Sequence, residues 1–216
     1  MTPFPSIRRR RCLGLLAGGA AALAAGCAAT PDGPPEEGFE YRAVPQQPAR
    51  AAGPQEVIEF FWYGCPHCNA LEPLLTQWRR DLPADVGFRK VHVGFGERWV
   101  PHQQMFYALT ALGRADEFGD RIFRALHVDG TNLDDRDRMA DFLARSGVDR
   151  ARFIAAFDSP AVRTEMTRAG ELAKALGITG VPSLAVNRRW VTSPSMAVGN
   201  AAALKVVDHL LQQERR

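Results

Sequence analysis

Cys65 and Cys68, separated by Pro66 and His67, stand directly behind the apolar run Val57-Ile58-Glu59-Phe60-Phe61-Trp62-Tyr63-Gly64. Two cysteines at this spacing close a small disulfide ring or open to a dithiol, and the thiolate form is the nucleophile. A strand-like run before the motif and a helix-compatible stretch after it predict Cys65 at a helix N-terminus. Unpaired N–H groups and the helix dipole favour a thiolate there. The chemistry implied is thiol–disulfide exchange. His67 can add a dipole or a positive charge beside Cys65, and Pro66 restricts the loop. A structural zinc site would need two further ligands, yet there is no second cysteine pair. His92, His102, His127 and His209 show no ligand spacing. Haem attachment needs His directly after the second cysteine, and Asn69 stands there. The reading is therefore of a redox pair that uses no metal and no cofactor.

The rest of the chain locates that pair. Arg8–Arg11 followed by the Ala/Gly/Leu-rich run Cys12–Ala25 reads as the charged and apolar regions of an export signal, too short to span a bilayer comfortably. Leu23-Ala24-Ala25-Gly26-Cys27 resembles a bacterial lipoprotein signal, which predicts residues 1–26 as the leader and Cys27 as the acylated mature N-terminus. Cleavage near Ala28-Ala29 is the competing reading. Once Cys12 and Cys27 are set aside, two of the four cysteines remain for the mature body. An exported domain with one tight pair and no separate structural disulfide uses that pair as a reagent. The formal net charge of +3 is small, and no basic stripe with interleaved aromatics follows the leader, so nucleic acid is not an expected partner.

Residues 27–53, rich in Pro, Gly, Gln and Glu, read as a flexible tether, with the folded body beginning near Pro54. Val57–Tyr63 is continuously apolar, as in a central strand buried on both faces. Cys68–Leu82 follows with Leu71, Leu74, Leu75 and Trp78 at helical spacing, and Pro73 is expected to kink it. Phe88–Phe95 reads as a second strand. From His102 to about Gly177 every apolar pattern is helical, with Gly177 a C-terminal cap. Ser183–Val186 and Trp190–Thr192 read as strands paired around Asn187-Arg188, and Asn200 as the cap of a last helix. The layout is α/β with one helical insertion at about 102–170.

At this point the chain resembles the DsbA family of thiol:disulfide oxidoreductases, from about Gln55 to the C-terminus. The resemblance rests on Val57-Ile58-Glu59-Phe60-Phe61, Cys65-Pro66-His67-Cys68, Lys90-Val91-His92-Val93 and Gly180-Val181-Pro182, in this order and spacing. It implies a thioredoxin-like fold with an inserted helical domain, Cys65 as nucleophile and Cys68 as the buried resolving thiol. Glu59 is a carboxylate in a wholly apolar run, and a buried charge needs a partner, for which Lys90 is the natural candidate. The resemblance places Glu59 beneath the active site, where it can relay a proton to or from Cys68. Glu72 matches another acidic family position, and solvent exposure explains it equally well. Pro182 matches the family's cis-proline, leaving the Val181 backbone to pair with an extended peptide.

The function expected is disulfide introduction into newly exported proteins with cysteine pairs. A DsbB-type membrane oxidase would reoxidise the enzyme, a monomer held at the periplasmic membrane by its lipid. A reductase or isomerase using the same cysteines is the alternative, although no dimerisation domain fits before residue 54. A tethered binding or chaperone module with an incidental disulfide is another.

Overall fold

The computed structural model describes residues 33–46 and 54–215. The expected export leader, residues 1–26, and the expected acylation site at Cys27 lie outside the described residues.

Strand β2 (Gln55–Phe61) is the centre of the molecule. Val57 through Phe61 are all buried, so this strand has no solvent face and its continuous apolar run follows from that position. On one side it pairs in parallel with β3 (Val86–His92), and on the other antiparallel with β4 (Ser183–Val186). β5 (Trp190–Thr192) continues from β4. Asn187 and Arg188 both have positive φ, at 51° and 54°. Within the three-residue connection of residues 187–189, these two thus give the primed-turn twist that suits a hairpin without the usual glycine.

The sheet has a fifth strand that the composition hides. Tyr41–Ala43 form β1, antiparallel to β5 with Tyr41 opposite Thr192. The expected tether of residues 27–53 is corrected over residues 34–46, because the compact unit begins at Pro34 and Tyr41 and Val44 are buried. Arg42 fastens this edge strand to the helices by donating to the carbonyls of Leu176 at 3.1 Å and Gly177 at 2.5 Å. A cation is favourable there because those carbonyls end a helix.

Helix α1 (Pro66–Arg80) follows β2 and runs on through Pro73. It buries Cys68, Leu71, Glu72 and Leu75, spaced i, i+3, i+4, i+7 as one helix face requires. Leu74, expected on that face, is exposed instead. The helical insertion comprises α2 (Val100–Ala111), α3 (Ala115–His127), α4 (Arg136–Ala144), α5 (Arg150–Phe157) and α6 (Pro160–Ala175). Asp135, Asp149 and Ser159 cap the last three by accepting from backbone N–H groups of the first turn. Gly177 closes α6 as expected, at φ 63°, with Ile178 N–H returning to Ala173 O. Helix α7 (Asn200–Gln213) ends the fold, and here the expectation fails. Gly199 is the cap residue and Asn200 is already helical.

Two apolar clusters flank the sheet. One joins Ile58, Phe60 and Phe61 to the helical insertion. The other joins Val57, Leu184 and Val186 to α1 and α7. The site lies where α1 leaves the sheet between them.

Candidate active site

The catalytic turn is built by close packing. Cys65 N–H bonds to Trp62 O at 3.0 Å, turning the chain out of β2. The Trp62 indole lies where a side chain at residue 64 would project, so only glycine fits at Gly64. Trp62 stacks on Trp99, with ring centres 4.3 Å apart and planes 10° from parallel. Cys65 is then the N-cap of α1, its sulfur 3.4 Å from the amide of Cys68, and Pro66 takes the first helical position. Proline is at ease there because its missing N–H would have no intrahelical acceptor. The expected placement of Cys65 at a helix N-terminus holds.

Both cysteines are free thiols, Cys65 6% exposed and Cys68 fully buried. Their acidities are driven apart. The Cys68 thiol donates to the Cys65 sulfur, and the amides of Cys68 and His67 with the His67 charge reinforce it. Together these lower the Cys65 pKa to about 6 against the opposing effect of burial. The Cys68 pKa is pushed far upward, first by burial and then by its bond to Cys65 and the nearby Glu59. One sulfur carries the negative charge and the other carries the proton.

Beneath Cys68 lies a buried charge cluster. Glu59 and Lys90 are register partners on the adjacent parallel strands β2 and β3, so their side chains share a face. Their nearest N–O separation is 3.4 Å. The predicted pairing exists, but Lys90 gives its hydrogen bonds elsewhere. Its ammonium reaches both oxygens of Glu72 at 2.5 Å. Glu72 is buried, which corrects the exposed alternative, and the signal was its spacing from Cys68 on the buried face of α1. Neither oxygen of Glu59 has a hydrogen-bond partner. Burial therefore raises the Glu59 pKa, to about 7, although the Lys90 charge opposes the rise. Burial also works against the Lys90 ammonium, but the two carboxylates prevail and its pKa is raised. A cleft of about 110 Å³ between α1 and α3 reaches Glu72 and Lys90 past Arg79, Asp116 and Asp120.

The Val181–Pro182 peptide is cis, and Val181 O faces the Cys65 sulfur at 3.7 Å. Ser183 Oγ donates to Gly180 O at 2.8 Å and shapes the same loop. Cys65, His67, Cys68, Glu59, Lys90, Val181 and Pro182 thus converge from four separate segments. Sequence reasoning did not find two histidines on the turn itself: His92 receives Tyr63 N–H at 3.2 Å, and His127 meets Tyr63 O at 2.8 Å. No spacing signal announces them, because they arrive from β3 and from the end of α3. Among the described residues no cluster of His, Cys, Asp or Glu could hold a metal ion.

An acidic thiol set against a basic one in a single helical turn exchanges disulfides. Carried on this sheet, it makes the chain a thiol–disulfide oxidoreductase of the thioredoxin-like class. Comparison with known proteins narrows the class. The family model described as a DSBA-like thioredoxin domain matches residues 100–211. The thiol:disulfide interchange protein DsbA of Bordetella parapertussis is 42% identical over 200 residues, covering 91% of this chain and 95% of the relative. The crystal structure of Pseudomonas aeruginosa DsbA superposes with a TM-score of 0.78 at 39% identity, covering 83% of this chain and 94% of that one. DsbA from Xylella fastidiosa superposes with a TM-score of 0.77 at 32% identity, over 84% and 98% of the two chains. The chain belongs to the DsbA family.

Proposed function

We propose that the chain is an exported thiol:disulfide oxidase that introduces disulfides into newly translocated proteins carrying cysteine pairs. A substrate thiolate attacks Cys65 of the oxidised pair. The Cys65–Cys68 bond breaks, and Cys68 leaves as a thiolate that takes a proton. A second substrate thiolate then attacks the substrate sulfur of the mixed disulfide. It forms the substrate disulfide and releases Cys65 as thiolate, so two electrons pass to the enzyme. Glu59 is the group that would supply or remove the Cys68 proton, and the cleft past Asp116 reaches that charge cluster between α1 and α3. Val181, beside the Cys65 sulfur, is the backbone edge offered to an extended substrate, and Pro182 shapes it.

The observation supporting this direction is the lowered pKa of Cys65. With a thiol pKa near 6 rather than ~8.5, the reduced state gains roughly 1.4 kcal/mol at pH 7, or about 30 mV of oxidising potential. A reductase is served by the opposite bias. The export leader, acylation of Cys27, a periplasmic location at the membrane, a DsbB-type reoxidising partner and a monomeric state complete the proposal.

Equilibration of the purified domain with defined glutathione buffers tests the direction. The oxidase reading expects a pair more oxidising than the glutathione couple, and a strongly reducing pair overturns it. A Cys68→Ala variant should accumulate mixed disulfides through Cys65 with exported clients, and clean chromatograms would remove Cys65 from the nucleophile's role.

A further inference from the structure

We infer that His127 is a positioning residue for the catalytic turn, holding the Tyr63 peptide so that Cys65 stays at the head of α1. The inference rests on Cys65 being the nucleophile. Tyr63 lies two residues before Cys65, and both polar groups of its backbone end on imidazoles. Its N–H donates to His92 Nε2 at 3.2 Å. His127 Nε2 lies 2.8 Å from its carbonyl oxygen. A carbonyl can only accept, so Nε2 of His127 carries a proton and donates. The opposite assignment holds at His92, whose Nε2 must be bare to receive the amide. Its burial, which pushes its pKa well below the ordinary value, keeps it neutral.

Each histidine is itself held, His92 through its backbone and His127 through its ring. The His92 carbonyl accepts from Gln103 Nε2 at 2.9 Å and from Tyr107 Oη at 3.2 Å, both on α2. His127 is the last residue of α3, and its ring lies over Phe123, with centres 6.1 Å apart. Phe123 in turn packs edge-on to Tyr63 at 5.3 Å. The buried Tyr63 peptide is therefore clamped between β3 and the helical insertion. Rotation of that peptide would carry Gly64 and Cys65 with it and would disturb the contact between the Cys65 sulfur and the Cys68 amide. By this bond the insertion holds the reactive turn in place.

Two substitutions separate positioning from packing. His127→Leu keeps bulk over Phe123 and removes the donor, whereas His127→Gln can restore an N–H toward the same carbonyl. The readouts are the ultraviolet thiolate titration of Cys65, kcat and KM for oxidation of a synthetic dithiol peptide, and thermal melting. Because small misplacements of reacting groups are costly, His127→Leu should lower kcat/KM about tenfold and raise the thiolate midpoint by about half a unit. Gln should return both to within about threefold of the parent rate. The inference falls if Leu and Gln both match the parent in titration and rate. It falls equally if they lose activity and melting temperature together, which packing alone would explain. If the unsubstituted protein does not oxidise the peptide, the proposed role of Cys65 fails instead, and the variant titrations still report on the clamp.

Discussion

Cys65 and Cys68 occupy one turn of one helix, yet the regions around them treat charge in opposite ways. At the head of α1 the Cys68 thiol, and after it the backbone amides, donate to the Cys65 sulfur and lower its pKa to about 6. Three residues on, the helix has entered the floor of the sheet, where burial and Glu59 keep the Cys68 proton in place. The two states depend on each other, because Cys68 can donate to Cys65 only while it keeps its proton. The lesson is that acidity here is assigned by depth and backbone direction and not by residue type. Orphan N–H groups stabilise an anion, and a low-dielectric floor penalises one.

The sharpest way to break the contrast is from below. Lys90→Met would leave Glu59 and Glu72 buried together without their cation. Removing one partner of a buried ion cluster costs about 3–5 kcal/mol, so chemical denaturation at pH 7 should show a loss of that size. The loss should shrink toward pH 4, where the carboxyls can take protons. An unchanged unfolding midpoint would mean that water already neutralises the cluster.

A second test reads the head of the helix through stability. The folded Cys65 value lies below its unfolded one, so the thiolate stabilises the reduced fold fully above pH ~8.5. The gain falls as pH drops and is gone below about pH 6. Reduced protein should therefore lose about 3 kcal/mol relative to a Cys65→Ala variant between pH 8.5 and 5.5. Parallel unfolding curves for the two proteins across that range would contradict the thiolate assignment.

The smallest effect concerns His67. Its charge is a minor contributor beside the Cys68 thiol and the backbone amides. His67→Ala keeps its own amide, so the thiolate midpoint should rise by less than about one unit. A larger rise, measured by thiolate absorbance, would move control from the Cys68 thiol and the backbone amides to the His67 side chain.

Much of the layout is legible because the central elements declare themselves locally. β2 must be buried on both faces, since its run is apolar without alternation. The five-helix insertion shows in stripes punctuated by Gly113, Gly130 and Gly147. β1 is illegible for a physical reason. Three residues in a proline-rich segment carry no periodic signal, and their pairing partner lies about 150 residues away in β5. Glu72 was half legible, because its spacing from Cys68 placed it on the buried face while its charge argued for water. Lys90 decides that conflict by reaching both of its oxygens, and the price is a Glu59 left without a hydrogen bond.

By itself the sequence determined the reactive pair, its place after a buried strand, and a buried carboxylate with a lysine to answer it. These are consequences of residue type and short-range spacing. Tertiary structure alone decided which carboxylate the lysine would bind and how far apart the two thiol acidities would move. It also set two histidines from different elements on the Tyr63 peptide. Those outcomes depend on burial and on distances between segments far apart in the chain, which close only when the sheet and its helical insertion pack together.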